Sequence, residues 1–236
     1  MPVEIPSSIT AVQANLVDIQ QRIQQACVAA QRDPAEVKLL AVSKTKPAEL
    51  VRQCYQVGQR HFGENYLQDA LEKIAALADL DDIEWHFIGP LQSNKTKAVA
   101  EHFDWFETLD RRKIAQRLSD QRPANKPPLN VLLQINISRE PQKSGLLIEQ
   151  VEEFASWLVG LSNLNWRGLM CIPEATDDQD RLAQQLQTMQ TLQQRLRQTY
   201  PQLDTLSMGM SADMALAIQY GSSEVRIGTD IFGARS

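Results

Sequence analysis

A lysine follows directly on an apolar segment near the start of the chain. The segment Leu39–Pro47 reads LLAVSKTKP, and Lys44 closes its apolar run. Because alternate residues of a strand share a face, Leu40, Val42 and Lys44 are predicted to lie on one side, and we place that side in the interior. Burial disfavours the charged form of lysine, and a neutral amine condenses with aldehydes. The pattern therefore predicts that Lys44 forms a Schiff base.

The same pattern leaves a second interpretation open for this lysine. At the rim of a strand, Lys44 could instead extend its ammonium group into water along an apolar surface. Lys46 shares its parity but lies past the strand, beside Pro47, and we expect it to reach solvent.

Two segments near the end of the chain predict a phosphate site. In SMGMSAD, Ser207–Asp213, Ser211 stands where a helix is expected to begin, and in RIGTD, Arg226–Asp230, Gly228 and Thr229 follow a strand. Helix N-termini bind anions, and barrel enzymes often hold phosphate with the loops after strands seven and eight. The alternative interpretation is a helix cap and a tight turn.

Arg226 is expected between the lysine and the phosphate site. It shares a strand face with Glu224 and Gly228, whereas the apolar pair Val225 and Ile227 should face helices. A lysine opposite a phosphate site fits a phosphorylated aldehyde, and pyridoxal 5′-phosphate (PLP) is the cofactor with this chemistry. An arginine at its pyridine nitrogen would keep that nitrogen unprotonated and make the ring a poorer electron sink.

Three further residues occupy comparable positions on other predicted strands. Asn65 ends FGEN, His86 lies in EWHFIG, and Met170 lies in GLMCIP. Taken singly, each is more typical of a structural role: a helix cap for Asn65, a satisfied histidine for His86 and a core residue for Met170.

These residues must be positioned by alternating strands and helices. Such alternation implies parallel pairing, and eight strands in this length favour a (β/α)8 TIM-like barrel, with a doubly wound sheet as the runner-up. An amphipathic N-terminal helix, Ser8–Gln31, is expected to cover the gap left because no long helix follows the last strand. The predicted strands are Val37–Lys44, His61–Glu64, Glu84–Ile88, Trp105–Leu109, Leu129–Ile137, Trp166–Ile172, Thr205–Met208 and Glu224–Gly228.

Composition excludes several classes of protein. The chain has 236 residues with a net charge of −5, which argues against nucleic acid or an anionic membrane as the main partner. No apolar run reaches the roughly 20 residues of a membrane span, and the N-terminus lacks the pattern of a signal peptide. Its three cysteines fit neither a disulfide framework nor a zinc site. We therefore expect a cytoplasmic protein without a metal.

Six motifs together resemble the pyridoxal phosphate homeostasis protein family: LLAVSKTKP, HFGENYLQDALEK, WHFIGPLQSNK, RGLMCIP, LSMGMSADMALAI and VRIGTDIFGAR. The resemblance implies one PLP-binding barrel of fold type III over residues 1–236, like the N-terminal domain of alanine racemase, with residues 1–36 packing on it. It also implies a set of PLP-binding residues: Lys44 as the Schiff-base lysine, Ser211, Gly228 and Thr229 at the phosphate, Arg226 at the ring nitrogen, and Asn65, His86, Met170 and Met210 as pocket lining.

The same resemblance implies a PLP-binding protein of vitamin B6 and amino-acid homeostasis without turnover. Racemases of this fold use a second base from an extra domain and a partner chain, and the end of this chain at Ser236 leads us to expect no such domain and no catalytic residue. The alternative is a racemase-like PLP enzyme. A sugar-phosphate isomerase or aldolase using Lys44 is a third possibility from the residues alone.

The expected partners are few. Apo PLP-enzymes are candidate recipients of the cofactor. The apolar helix face from Leu182 to Leu196 is predicted to be core and not a dimer seam, so we expect a monomer.

Overall fold

The structure is a computed structural model that describes residues 10–234. Its eight described strands alternate with helices along the chain, as the sequence pattern predicts. The strands are β1 Lys38–Val42, β2 His61–Glu64, β3 Glu84–Phe87, β4 Trp105–Leu109, β5 Leu129–Ile135, β6 Leu164–Cys171, β7 Thr205–Ser207 and β8 Glu224–Ile227. The α-helices are α1 Ala11–Ala29, α2 Ala48–Gln56, α3 Leu67–Ala76, α4 Thr96–His102, α5 Arg112–Gln121, α6 Val151–Leu158, α7 Gln179–Thr199, α8 Met214–Gln219 and α9 Thr229–Phe232.

The strands form a closed parallel barrel in chain order, and β8 pairs with β1. Leu40 is the register partner of Arg226 across this closure. The barrel prediction is confirmed, and the doubly wound sheet is wrong. Closure brings the loops that follow β1, β7 and β8 to one end, where the phosphate segments and Lys44 meet.

The two faces of β1 have different surroundings. Leu39 and Ala41 belong to the large apolar core between strands and helices. On the other face, Val42 lines a cavity at the C-terminal mouth of the barrel together with Arg226. A second, smaller apolar cluster lies apart from the large core and consists of Trp105, Leu132 and Met170. The predicted inward direction of Arg226 is therefore what the structure shows.

Two element boundaries differ from the sequence prediction, and both bear on the site. Strand β1 ends at Val42, so Lys44 lies two residues beyond it in a turn. Helix α8 begins at Met214, and Ser211 lies in the preceding turn, so the interpretation of Ser211 as a helix cap is wrong. A turn closed by the Lys46 N–H and the Ser43 carbonyl follows β1, and a turn closed by the Asp213 N–H and the Met210 carbonyl precedes α8.

The N-terminal helix α1 packs against α2, α8 and α9. A reciprocal capping box of Thr10 and Gln13 starts it, and its buried face includes Leu16, Ile19 and Ile23. This packing covers the part of the barrel where only the four-residue helix α9 follows β8. Ser8 and Ile9 of the predicted helix, and Arg235 of the last motif, lie outside the described residues.

Other expectations concern helix faces and cysteines. The face of α7 from Leu182 to Leu196 is buried, as predicted for core. The three cysteines, Cys27, Cys54 and Cys171, are buried free thiols. In residues 10–234, none of the helices is both long enough and apolar enough to span a bilayer.

Candidate functional site

A cavity of about 390 Å³ opens at the C-terminal mouth of the barrel. Of the nine predicted site residues, His86 does not line this cavity. The other eight do: Lys44, Asn65, Met170, Met210, Ser211, Arg226, Gly228 and Thr229. The volume lies within the range of small-molecule and cofactor sites. The positions come from β1, β2, β6, β7 and β8, or the loops that follow them, so only the closed barrel brings them together.

Lys44 lies in a turn that is held on both sides. The next residue, Thr45, has a φ of 63°, and its N–H donates to Asp69 Oδ2 over 3.1 Å. The preceding carbonyl, that of Ser43, accepts a 2.7 Å hydrogen bond from Lys73 Nζ. A left-handed conformation is costly for a threonine, so outside contacts must hold this turn. Helix α3 supplies them.

A buried ion pair anchors these contacts. Lys73 Nζ lies 2.6 Å from Glu64 Oε1 and 3.1 Å from Asp69 Oδ2, and the Ser43 hydroxyl donates to the same Glu64 oxygen over 2.6 Å. Burial raises the pKa of Glu64, against the lowering effect of Lys73. A buried pair of this kind contributes little net stability, but removing one partner is strongly destabilising. The Lys73–Glu64 pair, which also contacts Ser43, therefore fixes the position of the turn that carries Lys44.

The phosphate-site segments line the same cavity as Lys44. A Cβ added to Gly228 would come 3.2 Å from the Val42 carbonyl oxygen, and Gly209 has a φ of 98° with a Cβ position only 2.6 Å from Ala217 Cβ. Both positions suit glycine, because a side chain would crowd the end of β1 at Gly228 and helix α8 at Gly209, where the positive φ also favours glycine. The loops can thus present main-chain N–H groups, with the Ser211 and Thr229 hydroxyls beside them, to an anion.

Helix α1 contacts both loops of this cradle. Arg22 Nη1 lies 3.0 Å from Asp230 Oδ2, and Arg22 Nη2 donates to the Ser211 carbonyl over 3.4 Å. Asn15 donates a 3.0 Å hydrogen bond to the Ile231 carbonyl. The N-terminal helix therefore positions the residues expected at the phosphate.

Arg226 forms part of the cavity floor. Its Nη1 donates to Ser207 Oγ over 2.7 Å and its Nη2 to the Cys171 carbonyl over 2.8 Å. Each terminal nitrogen of a guanidinium carries two N–H groups, so a group held in this way can also donate to a ligand. Its positive charge at the cavity favours an anionic ligand.

His86 lies behind Arg226 in the barrel interior, and not in the cavity. Its Nδ1 is 2.6 Å from Glu107 Oε1, and the Ser207 hydroxyl donates to Glu107 Oε2 over 3.0 Å. Burial lowers the pKa of His86 to about 3, which keeps the imidazole neutral. The pocket position expected for His86 therefore does not match its position in the structure: the side chain contacts Glu107 and Trp105 of β4 and does not line the cavity.

Asn65 and the two methionines complete the lining. Asn65 Oδ1 is buried and has no hydrogen-bond partner among residues 10–234, and helix α3 begins after Tyr66 without a side-chain cap. The capping interpretation of Asn65 is therefore wrong. A buried amide oxygen without a partner at a cavity suits a polar ligand. Met170 is fully buried, whereas Met210 is 46% exposed at the rim.

The residues present fit PLP. An amine, an orphaned amide oxygen, an arginine and a glycine-bearing cradle line one cavity of cofactor size. Such a set can hold a phosphate, a polar ring and an aldehyde at once.

Sequence reasoning missed the residues that support this site. Glu107 and Ser207 hold Arg226, and Lys73 holds the Lys44 turn. The sequence contains one indication of a role for Glu107, which is a carboxylate in the middle of the otherwise mostly apolar strand WFETL. The sequence contains no such indication for Lys73, because a lysine on an amphipathic helix is ordinarily a surface residue.

Comparisons with known proteins agree on fold and family. The family model for the N-terminal domain of alanine racemase matches residues 9–236. The pyridoxal phosphate homeostasis protein of Pasteurella multocida (strain Pm70) is 57% identical over 227 residues, covering 95% of this chain and 97% of the relative. The protein of the same name from Escherichia coli (strain K12) is 51% identical over 223 residues, covering 94% and 95%.

Among solved structures, PipY of Synechococcus elongatus PCC7942 is similar. It was solved with PLP bound, has a TM-score of 0.78 and 36% sequence identity, and the match covers 91% of this chain and 100% of PipY.

Proposed function

We propose that this chain, which belongs to the pyridoxal phosphate homeostasis protein family, binds PLP at the C-terminal mouth of its barrel in the service of vitamin B6 and amino-acid homeostasis. One observation carries the proposal. Lys44, Arg226 and the cradle of Ser211, Gly228 and Thr229 line a single cavity, in a chain that shares a family with a protein solved with PLP bound.

Each lining residue has a role in this proposal. Lys44 forms the Schiff base, the hydroxyls of Ser211 and Thr229 and the main chain at Gly228 bind the phosphate, and Arg226 donates to the ring nitrogen. Asn65, Met170 and Met210 surround the ring. His86 does not touch the cofactor and acts through Glu107 on Arg226.

The chemistry that PLP supplies when bound is an aldehyde that condenses with an amine, with loss of water. The protein's part is to position the groups. The Lys73 and Asp69 contacts hold the turn that carries the Lys44 amine, and Ser207 and the Cys171 carbonyl orient the guanidinium. A charged arginine keeps a pyridine nitrogen from taking a proton, because two positive charges would then face each other. Such a ring withdraws electrons weakly, which suits storage better than catalysis.

By its family membership, the protein is a homeostasis protein and not an enzyme. Its relatives at 50–57% identity carry the name pyridoxal phosphate homeostasis protein, and the likeness to alanine racemase concerns the barrel domain. The racemase-like alternative is therefore not favoured.

Several finer statements belong to the proposal. Apo PLP-enzymes would receive the cofactor, the protein would act as a monomer, and it would work in the cytoplasm, where buried free cysteines such as Cys171 stay reduced. Residues 1–236 would form one domain, with residues 1–36 packed on the barrel.

The test is reductive labelling of the native protein. Full-length protein is loaded with PLP and treated with borohydride, which converts a Schiff base to a stable amine, and the labelled peptide is identified by mass spectrometry. We expect one pyridoxyl group, on Lys44. A label on another lysine, or none on a protein that absorbs like free PLP, would contradict the assignment.

A further inference from the structure

A second cluster of chemically active side chains lies at the opposite end of the barrel. His61 opens β2, and Glu84 opens β3 as its register partner, with His86 two residues further along β3. Alternate residues of a strand share a face, so Glu84 and His86 project together and His61 stands beside Glu84. One carboxylate oxygen and one ring nitrogen from each histidine lie within 4.8 Å of one another.

The histidine nitrogens facing this cluster lack hydrogen bonds. His86 Nε2 is a buried atom without a hydrogen-bond partner in the part of the chain that the structure describes. His61 Nδ1 is also buried, and its near polar neighbour is Glu84 Oε2 at 3.4 Å. His86 is fully buried, and its other nitrogen is taken by Glu107. Buried polar atoms are ordinarily paired with protein groups, water, ions or ligands, so a buried ring nitrogen without a protein partner suits an ion.

We propose that His61, Glu84 and His86 bind a divalent transition metal ion of the Zn²⁺ type at the N-terminal end of the barrel. Two imidazoles and one carboxylate are donors that Zn²⁺, Co²⁺ and Fe²⁺ accept, and they leave positions for water. Donors about 2.1 Å from a metal lie within about 4.2 Å of each other, so small side-chain rotations complete the site.

The surroundings match those of metal-binding residues. Histidines that bind metals commonly donate their second N–H to a carboxylate, and His86 Nδ1 lies 2.6 Å from Glu107 Oε1. The Glu84 carboxylate is oriented in turn by a 3.0 Å hydrogen bond from Trp105 Nε1. The ring of His86 stacks on Trp105, with centroids 5.1 Å apart and planes at 3°. These contacts fix two of the three ligands before metal arrives.

The site is open to solvent. His61 lines a groove of about 680 Å³ at this end of the barrel, and Glu84 lines a neighbouring groove of about 440 Å³. The Glu84 side chain is 47% exposed and that of His61 25% exposed. A hydrated ion can therefore reach Glu84 and His61 first and then His86.

Two cations, Lys38 and Arg167, line both grooves and oppose binding. Lys38 Nζ lies 4.6 Å and Arg167 Cζ 5.0 Å from the Trp105 ring centroid, but Arg167 is paired with Asp204. Coulomb repulsion between the ammonium group and a divalent ion lowers the affinity, although a flexible lysine stem can move its charge towards solvent. Removing this charge should tighten the site, an effect that a structural histidine pair would not show.

The experiment is titration of EDTA-treated, full-length protein with Co²⁺ and Zn²⁺, followed by Co²⁺ absorption and calorimetry. We expect one equivalent bound and a thermal midpoint that rises with metal concentration. His61→Ala should abolish binding, Glu107→Gln should weaken it by about 10- to 100-fold, and Lys38→Met should tighten it severalfold. The far-ultraviolet circular dichroism and the thermal midpoint without metal should be the same in His61→Ala and wild type, which shows that the variant is folded.

The matched control is His102→Ala, because His102 is the third histidine of the chain and lies exposed at the end of α4. The proposal is overturned if wild-type protein binds no stoichiometric metal. It is also overturned if folded His61→Ala binds metal as wild type does, or if His102→Ala loses binding to the same extent. None of these outcomes depends on where PLP binds.

Discussion

Each end of the barrel has a lysine at or next to β1. The two ends differ in which groups their polar side chains contact. Lys38 begins the strand, and Lys44 follows its end. At the N-terminal end charged side chains pair with one another: Arg60 with Asp82 at 2.6 Å, and Arg167 with Asp204. At the C-terminal end the lining comes largely from loop main chain, hydroxyls and an orphaned amide.

Cavity size alone would therefore not select the proposed cofactor site. The groove at the N-terminal end is larger, at about 680 Å³ against 390 Å³. Both arginines that line it are paired with aspartates, whereas the smaller cavity combines glycine-bearing loops with an amine and an arginine. Parallel strands direct their following loops to the same end, and those loops are free to vary around a ligand.

The largest expected effect separates the two lysines. Lys44→Ala should abolish the borohydride-stable link to PLP completely, because no amine remains at that position, while phosphate-anchored binding persists. Lys38→Met, at the other end of the same strand, should keep the link. Mass spectrometry of reduced protein measures both. A retained link in Lys44→Ala would remove the distinction between the two ends.

The next effect concerns the ion pairs at each end. Lys73→Met should lower the free energy of unfolding by about 3–5 kcal/mol, because it leaves Glu64 buried without its partner. Arg60→Met breaks a pair whose side chains are 34% and 53% exposed, and should cost less than about 1 kcal/mol. Urea unfolding monitored by circular dichroism compares them. Equal losses would show that the Lys44 turn is no more tightly held than the opposite end.

The smallest of these effects concerns single hydroxyls. Ser211→Ala should weaken PLP binding by about 1–3 kcal/mol, because a phosphate oxygen would lose a hydrogen bond. Ser223→Ala, in the groove at the other end, should leave PLP affinity unchanged. Equilibrium dialysis with PLP gives both constants. An unchanged PLP affinity in Ser211→Ala would show that the Ser211 hydroxyl does not bind the phosphate, and that the main chain and Thr229 bind it instead.

Sequence pattern predicted the residues of the cofactor cavity better than the residues that hold them. Parity along β1 and β8 placed Lys44 and Arg226 at one cavity, since alternation in a strand is a local property. Strand parity does not predict the depth of His86 in the barrel. It has the parity of an interior residue, but depth along the barrel axis depends on strand stagger, which no single strand encodes.

The alternation of strands and helices, the inward face of the last strand and the residue types of the cavity could be predicted from the sequence. These follow from periodicity and turn residues, which act over a few positions. The inward face of the first strand, whose two faces are both apolar, came from the fold, as did the contacts of Lys73 with the Lys44 turn, of Ser207 and Glu107 with Arg226, and of His61 with Glu84 and His86. Such contacts join residues far apart in the chain, and barrel closure and strand register determine them.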